Sequence, residues 1–324
     1  MHPTLSQWVE SSLDASLSAI EPLLVEASNR RFYRVRLNAS KPGPESLVVM
    51  DSPPELERND AFIAVQKLLA GQGLPVPSIV ALNMEKGFFL LSDLGDRHLE
   101  DAYGTPVQDS ALAVAIDNLV ALQRTDAPDI APYLESRFRD ELDIFVEWFL
   151  GALLDEPLPE AACEAFETLI ENALGQPQCL IHRDYHCRNL LVTPDGGLGI
   201  VDFQDALIGP ATYDLACLLW DCYHDFDHGE RRRWQRYYQD RSRFPFDDDA
   251  LSRALDLTGL QRQLKAIGIF ARLKLRDSKP GHMRYIAPVL ESATRICASY
   301  RATRQLGNWL TGLNPQAHKA FDAK

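Results

Sequence analysis

Three side chains in the second half of the sequence have the types and spacing that phosphoryl transfer requires. His182-Arg183-Asp184 is followed at the fifth position after the aspartate by Asn189, and 13 residues later by Asp202-Phe203-Gln204. A carboxylate such as Asp184 can orient an acceptor hydroxyl and take its proton. A hard cation spanning phosphates wants oxygen ligands, and one amide (Asn189) with one carboxylate (Asp202) supplies them. The residues between read as strand, turn and strand: Leu190-Leu191-Val192, then Pro194-Asp195-Gly196-Gly197, then Leu198 to Asp202. Such a hairpin brings the two ligands together across its open end.

The elements that must position these groups fall into two parts. Near the start, Leu5, Trp8, Val9, Leu13, Leu17 and Ile20 recur at the period of an amphipathic helix. Leu23 to Ala27, Phe32 to Leu37 and Ser46 to Asp51 read as three antiparallel strands, the last two separated by a loop with Lys41-Pro42-Gly43-Pro44. A helix is expected from about Glu55 to Gly71, then a hairpin with Glu85-Lys86-Gly87 at its turn. Beyond Asp96, helical patterns dominate: Val107 to Gln123, Arg137 to Leu154, Pro159 to Leu174, Tyr213 to Tyr223, Leu260 to Asp277 and Met283 to Leu306. The acidic run Asp247 to Asp249 reads as a solvated loop or a helix N-terminus. The expected organisation is a β-rich lobe over 1–95 and a mainly helical lobe over 96–324.

Composition is consistent with this. At roughly 150 residues per domain, 324 residues suggest two units, and a 46% hydrophobic share can fill a sizeable core. With 33 basic against 46 acidic residues the formal charge is −13, so nucleic acid is discarded as the default partner. The N-terminus shows neither a basic n-region nor an unbroken apolar run, and nothing approaches a membrane-spanning stretch. A cytoplasmic protein with no membrane partner is expected, and a monomer. Six cysteines without a CxxC pair imply reduced, structural thiols.

His182-Arg183-Asp184…Asn189 and Asp202-Phe203-Gln204 match the protein-kinase set H-R-D-x-x-x-x-N and D-F-G, with glutamine for glycine. With Gly209-Pro210 and Tyr213-Asp214-Leu215-Ala216 following, the chain resembles the aminoglycoside phosphotransferase and choline kinase superfamily. That resemblance implies a bilobal, α+β, protein-kinase-like fold, a small antiparallel sheet lobe joined to a larger helical lobe, using ATP with Mg²⁺. It implies that Asp184 is the proton acceptor, that Asn189 and Asp202 are metal ligands, and that Asp214 and His182 brace the catalytic loop. Arg183 stands where many aminoglycoside enzymes have glycine. Either it pairs with an acid for support, or it reaches the phosphate or the acceptor.

The resemblance also implies a hairpin over the phosphates, here Ala27 to Phe32, where Ser28 with Arg30 or Arg31 would contact phosphate. No glycine precedes Gly43, so this is not a glycine-rich loop. The adenine would be read by Ser92-Asp93-Leu94-Gly95, through the backbone at Ser92 and Leu94. Where the superfamily places a strand lysine, this sequence has Met50, so Arg30, Arg31 or Arg58 must supply the charge or catalysis is weak.

For the acceptor, Arg183, Gln204, Asp205, Trp220, Asp221 and His224 are the candidates. A cationic acceptor would want acids there. An anionic sugar acid would want an arginine such as Arg183, Arg262, Arg272 or Arg276. Over nearly its whole length, including Val48-Val49-Met50-Asp51-Ser52-Pro53-Pro54, the chain resembles bacterial anomeric kinases of N-acetylated amino sugars in peptidoglycan recycling. An amino-sugar acceptor is therefore expected. The alternatives are an aminoglycoside or choline-like alcohol, or an inactive nucleotide-binding module.

Overall fold

The computed structural model describes residues 1–23, 29–38, 45–193 and 195–322. They divide into two compact units, Met1–Ala102 with Asn189–Asp205, and Tyr103–Arg188 with Ala206–Lys324.

The first part of the chain forms α1 (Pro3–Leu13), β1 (Leu17–Leu23), β2 (Arg31–Leu37), β3 (Ser46–Asp51), α2 (Asn59–Gly71), β4 (Ile79–Asn83) and β5 (Phe88–Ser92). The strands make one antiparallel sheet in the order β1-β2-β3-β5-β4. Alternation along each strand sorts side chains between two faces. Leu47, Val49, Phe88 and Leu90 pack with Leu5 and Val9 of α1. Met50 and Phe89 take the opposite face, where Phe89 meets Phe62 of α2 edge-on at 5.5 Å. Met50 is fully buried, opposite Phe32 and Phe89.

The expected helix over residues 5–20 is cut short. Asp14 adopts a left-handed φ of 47° that closes α1, and Leu17 and Ile20 belong to β1. Apolar spacing alone did not separate the end of a helix from the start of a strand. The strand expected at Leu23 to Ala27, apart from Leu23, lies outside the described residues, as do Ser28 and the loop containing Lys41.

The rest of the chain forms α3 (Gln108–Gln123), α4 (Glu135–Ile144), α5 (Glu160–Leu174), β6 (Gln178–Ile181), β7 (Leu190–Val192), β8 (Leu198–Ile200), β9 (Leu207–Pro210), α6 (Tyr213–Leu219), α7 (His228–Gln239), α8 (Asp248–Leu275), α9 (Ile286–Ser299) and α10 (Arg304–Asp322). The β7–β8 hairpin belongs to the first unit. There Val192 donates to the Arg97 carbonyl and Ile200 to the Pro75 carbonyl. Gly199 lets Leu94 lie against the hairpin, since a Cβ there would come within 2.5 Å of the leucine side chain.

In the second unit β6 pairs antiparallel with β9, a two-stranded ribbon the sequence did not suggest. The acidic run proves to be a helix start: Asp247 caps α8 by accepting from Ala250 N at 2.7 Å. α8 is 28 residues long, and 16 of them are buried, so it carries no narrow apolar stripe from which its length could be read. α4 runs on into a wider π-helical segment, Phe145–Leu154. α8 crosses that junction at Gly268, where a Cβ would lie 2.5 Å from the Ile144 carbonyl oxygen.

Backbone cannot step aside as a side-chain tip can. Gly268→Ala is therefore expected to destabilise the protein by about 1–3 kcal/mol in urea unfolding. Gly312→Ala, in α10 with no atom within 4 Å of its Cβ position, is expected to stabilise by about 0.5–1 kcal/mol.

Candidate active site

The catalytic loop, His182–Arg188, leaves β6 in the second unit and is held by its backbone. Asp214, in the first turn of the wholly buried α6, accepts from the backbone N–H of His182 at 2.6 Å and of Arg183 at 2.9 Å. The Cys217 thiol, one turn on, donates to the Arg183 carbonyl at 3.2 Å. Burial pushes that thiol well above its ordinary range, so it stays a donor. His182 is buried, and its Nδ1 accepts from the Asp184 N–H at 3.3 Å. At the far end of the loop, Asp221 accepts from the N–H groups of Cys187 at 2.9 Å and Tyr223 at 3.0 Å.

Arg183 has a left-handed φ of 81°, a conformation that favours glycine. Its side chain is buried, donates to Glu141 Oε1 at 3.2 Å and lies 5.6 Å from the centre of the Tyr133 ring. Of the two roles left open by the sequence, the observed contact is the pairing with an acid. Glu141, on α4, also accepts from Lys265 Nζ at 2.8 Å, Gln261 Nε2 at 3.1 Å and Tyr213 Oη at 3.4 Å. Burial would raise this carboxyl; the Lys265 charge, with Tyr133 and Arg183, brings it down to about 2. Asp184 behaves alike. Burial opposes its charge, but Lys265, His186, Arg262 and Arg183 outweigh that and hold it at about 2.

Three of the residues expected to hold an acceptor also make contacts within the second unit. Trp220 donates to Asp256 at 3.1 Å, lies under the Arg231 guanidinium and packs on Gly259. His224 sits between Tyr103, at 4.1 Å, and Phe226, at 4.4 Å. Asp221 holds the loop as described. Glu141 and Lys265 were not foreseen. Glu141 is one of several acids along a charged helix, and no local signal marks which of them turns inward.

In the first unit the β7–β8 ladder sets Asn189 against Asp202, with Val201 N–H donating to the Asn189 carbonyl at 3.0 Å. Asp202 is exposed on a left-handed backbone, φ 65°, and accepts from Gln204 at 2.7 Å. Asp205 is exposed. Such strain collects at functional positions. Phe203, the next residue, stacks on Phe62 of α2 at 5.2 Å. Phe62 in turn lies 5.6 Å beneath the guanidinium of Arg30. Arg30 is buried, donates to Ser52 Oγ at 3.2 Å and pairs with Glu57 at 3.5 Å. Arg31 and Arg58 are exposed.

The segment Ser92-Asp93-Leu94-Gly95 is fixed to the sheet. Asp93 accepts a bidentate pair from Arg34 at 2.6 and 3.1 Å, and further bonds from Ser46 Oγ and Gly95 N. Although burial would raise it, these donors hold its carboxyl below the usual range. Arg34 also donates to the Gly95 carbonyl at 2.9 Å, and Ser92 Oγ accepts from Ser78 N at 2.8 Å.

This constellation agrees with three kinds of comparison. The phosphotransferase enzyme family model matches residues 19–251. An N-acetylmuramate/N-acetylglucosamine kinase from Pseudomonas aeruginosa is 36% identical over 309 residues, covering 92% of this chain and 89% of that protein. Its counterpart from Pseudomonas putida is 38% identical over 276 residues, covering 82% and 78%. Among solved structures, a spectinomycin phosphotransferase bound to ADP and spectinomycin matches with a TM-score of 0.66 at 15% identity, covering 90% of this chain and 97% of that one. A choline kinase from Streptococcus pneumoniae matches at 0.65 and 13%, covering 92% and 98%. Those two likenesses establish the protein-kinase-like fold, and the sequence matches establish descent: the chain belongs to the phosphotransferase enzyme family.

Proposed function

We propose that the protein transfers the γ-phosphate of ATP to the anomeric hydroxyl of N-acetylmuramate or N-acetylglucosamine. The observation that carries the acceptor is the match, over 92% of the chain, to a kinase named for these two sugars. The charges around Asp184 agree with it. Lys265, His186, Arg262 and Arg183 would repel a polycationic aminoglycoside, whereas a neutral or anionic sugar meets no such penalty.

In this reading Asp184 orients the hydroxyl and accepts its proton late. A carboxylate held at about 2 is a weak base. An anomeric hydroxyl is more acidic than an ordinary alcohol and asks less of it. Glu141 acts one step back. It neutralises Arg183 and Lys265, and through Arg183 it fixes the backbone from which Asp184 projects. Asn189 and Asp202 would hold Mg²⁺; an amide oxygen with one exposed carboxylate suits an ion that completes its shell with water and phosphate. When bound, that ion neutralises charge developing on the phosphates.

Arg30 takes the part of the strand lysine. It is a buried cation paired with an acid, Glu57, and it is linked through Phe62 to Phe203 beside Asp202. Ser28 and Arg31 would add phosphate contacts, and the backbone at Ser92 and Leu94 would read adenine. Gln204 and Asp205 lie next to the metal ligand and are retained as acceptor contacts.

Asp184→Ala and Asp202→Ala are each expected to abolish sugar-dependent ADP release while circular dichroism stays unchanged. Full activity in either purified variant sinks the proposal. Arg30→Met is expected to lower kcat/KM for ATP by about 10-fold or more, the worth of a charge-assisted contact, with Arg31→Ala within about 3-fold; the reverse order would move the phosphate cation to Arg31.

Glu141→Gln leaves two buried cations short of an acid and is expected to cost about 3–5 kcal/mol in urea unfolding at pH 7. The Glu141 carboxyl is lowered from 4.5 to about 2, so the folded state binds fewer protons than the unfolded chain between those values. Its contribution is thus complete above pH 4.5 and drains away as pH falls toward 2. The stability gap between wild type and variant should narrow over that interval, and a gap independent of pH would contradict the ion pairing.

A further inference from the structure

Beside the catalytic loop, two guanidinium groups of the second unit converge on one phenol. Arg188, four residues after Asp184, donates to Tyr285 Oη at 2.6 Å, and Arg284 donates to the same oxygen at 2.8 Å. The two nitrogens therefore lie within about 5.4 Å of each other. The Arg188 guanidinium also lies 3.7 Å from the centre of the Tyr223 ring, and Tyr223 meets Tyr285 edge-on at 5.0 Å and His186 of the loop at 5.4 Å. Phe270 stacks on His282 at 5.2 Å alongside. Arg284 is exposed, and among the described residues it pairs with no carboxylate.

A phenol oxygen that accepts from two cations satisfies neither charge. Its own O–H remains a donor with both lone pairs committed. Three donors, two of them planar forks suited to bidentate recognition, are thus gathered at one point on an aromatic shelf. Such a point favours an anion. The shelf gives the apolar face of a sugar ring something to lie on.

We propose that Arg188, Arg284 and Tyr285 bind the carboxylate of an anionic sugar acceptor, and that this is how the protein favours N-acetylmuramate, whose lactyl ether carries a carboxylate, over N-acetylglucosamine, which has none. The inference rests on the amino-sugar reading above. It shifts carboxylate recognition away from the arginines suggested by the sequence. Arg183 is committed to Glu141, Arg276 to Asp277 at 2.7 Å, and Arg262 is buried with its guanidinium 5.4 Å from the Tyr213 ring centre.

The test is ADP release from MgATP with each sugar in turn, for wild type, Arg284→Gln, Arg284→Lys and Tyr285→Phe, each verified as folded. Arg284→Gln should lower kcat/KM at least ten-fold more for N-acetylmuramate than for N-acetylglucosamine, mostly through KM, with Arg284→Lys recovering part of the loss. Tyr285→Phe should shift the ratio the same way. Equal losses with both sugars overturn the inference and leave the amino-sugar reading intact. A rise in the KM for ATP with either sugar assigns the cluster to a phosphate and overturns it too. Wild-type protein inert toward both sugars overturns the amino-sugar reading and this inference with it.

Discussion

The catalytic loop turns on a residue that would rather not be where it is. Arg183 holds a left-handed backbone at φ 81°, which costs a residue with a Cβ of the order of 1–3 kcal/mol. Two buried carboxylates offset that cost from opposite sides: Asp214 takes the N–H groups of His182 and Arg183, and Glu141 takes the Arg183 guanidinium. A glycine could make the turn with less strain, but it could not tie the loop to α4. The arginine converts a tight turn into a three-way junction of the loop, α4 and α8, because Lys265 of α8 shares the same Glu141 oxygen. Where Asp184 points follows from that junction.

The same junction governs the charge state of Asp184. In a low-dielectric setting an isolated carboxylate would take up a proton, and burial does push in that direction. Lys265, His186, Arg262 and Arg183 reverse the outcome. The residue is therefore built to stay ionised and to position a hydroxyl, with catalysis left largely to alignment and to charge neutralisation on the phosphates. The formal charge of −13 says nothing of this, since the side chains acting on Asp184 are mainly cationic.

Much of this was legible in the sequence because short-range chemistry writes short-range patterns. Asp184, Asn189 and Asp202 stand at spacings that a hairpin closes, and the β7–β8 ladder closes them. What was not legible depends on contacts distant in sequence. Glu141 is 42 residues from Arg183 and 124 from Lys265, and its helix gives no sign that it differs from its acidic neighbours. Trp220 and His224 suggested a sugar platform by type alone, yet tertiary packing commits them to Arg231, Gly259, Tyr103 and Phe226. Met50 marked a missing cation correctly; that Arg30 lies buried against Glu57 could be seen only once β2 and the segment before α2 were placed in space.

The central claim is that an anomeric hydroxyl receives the phosphate. Phosphorus NMR of the product from MgATP and N-acetylglucosamine tests it most directly. A sugar 1-phosphate, its phosphorus coupled to the anomeric ring proton, is the predicted result. A phosphate coupled instead to the exocyclic methylene protons, as in a 6-phosphate, would contradict it.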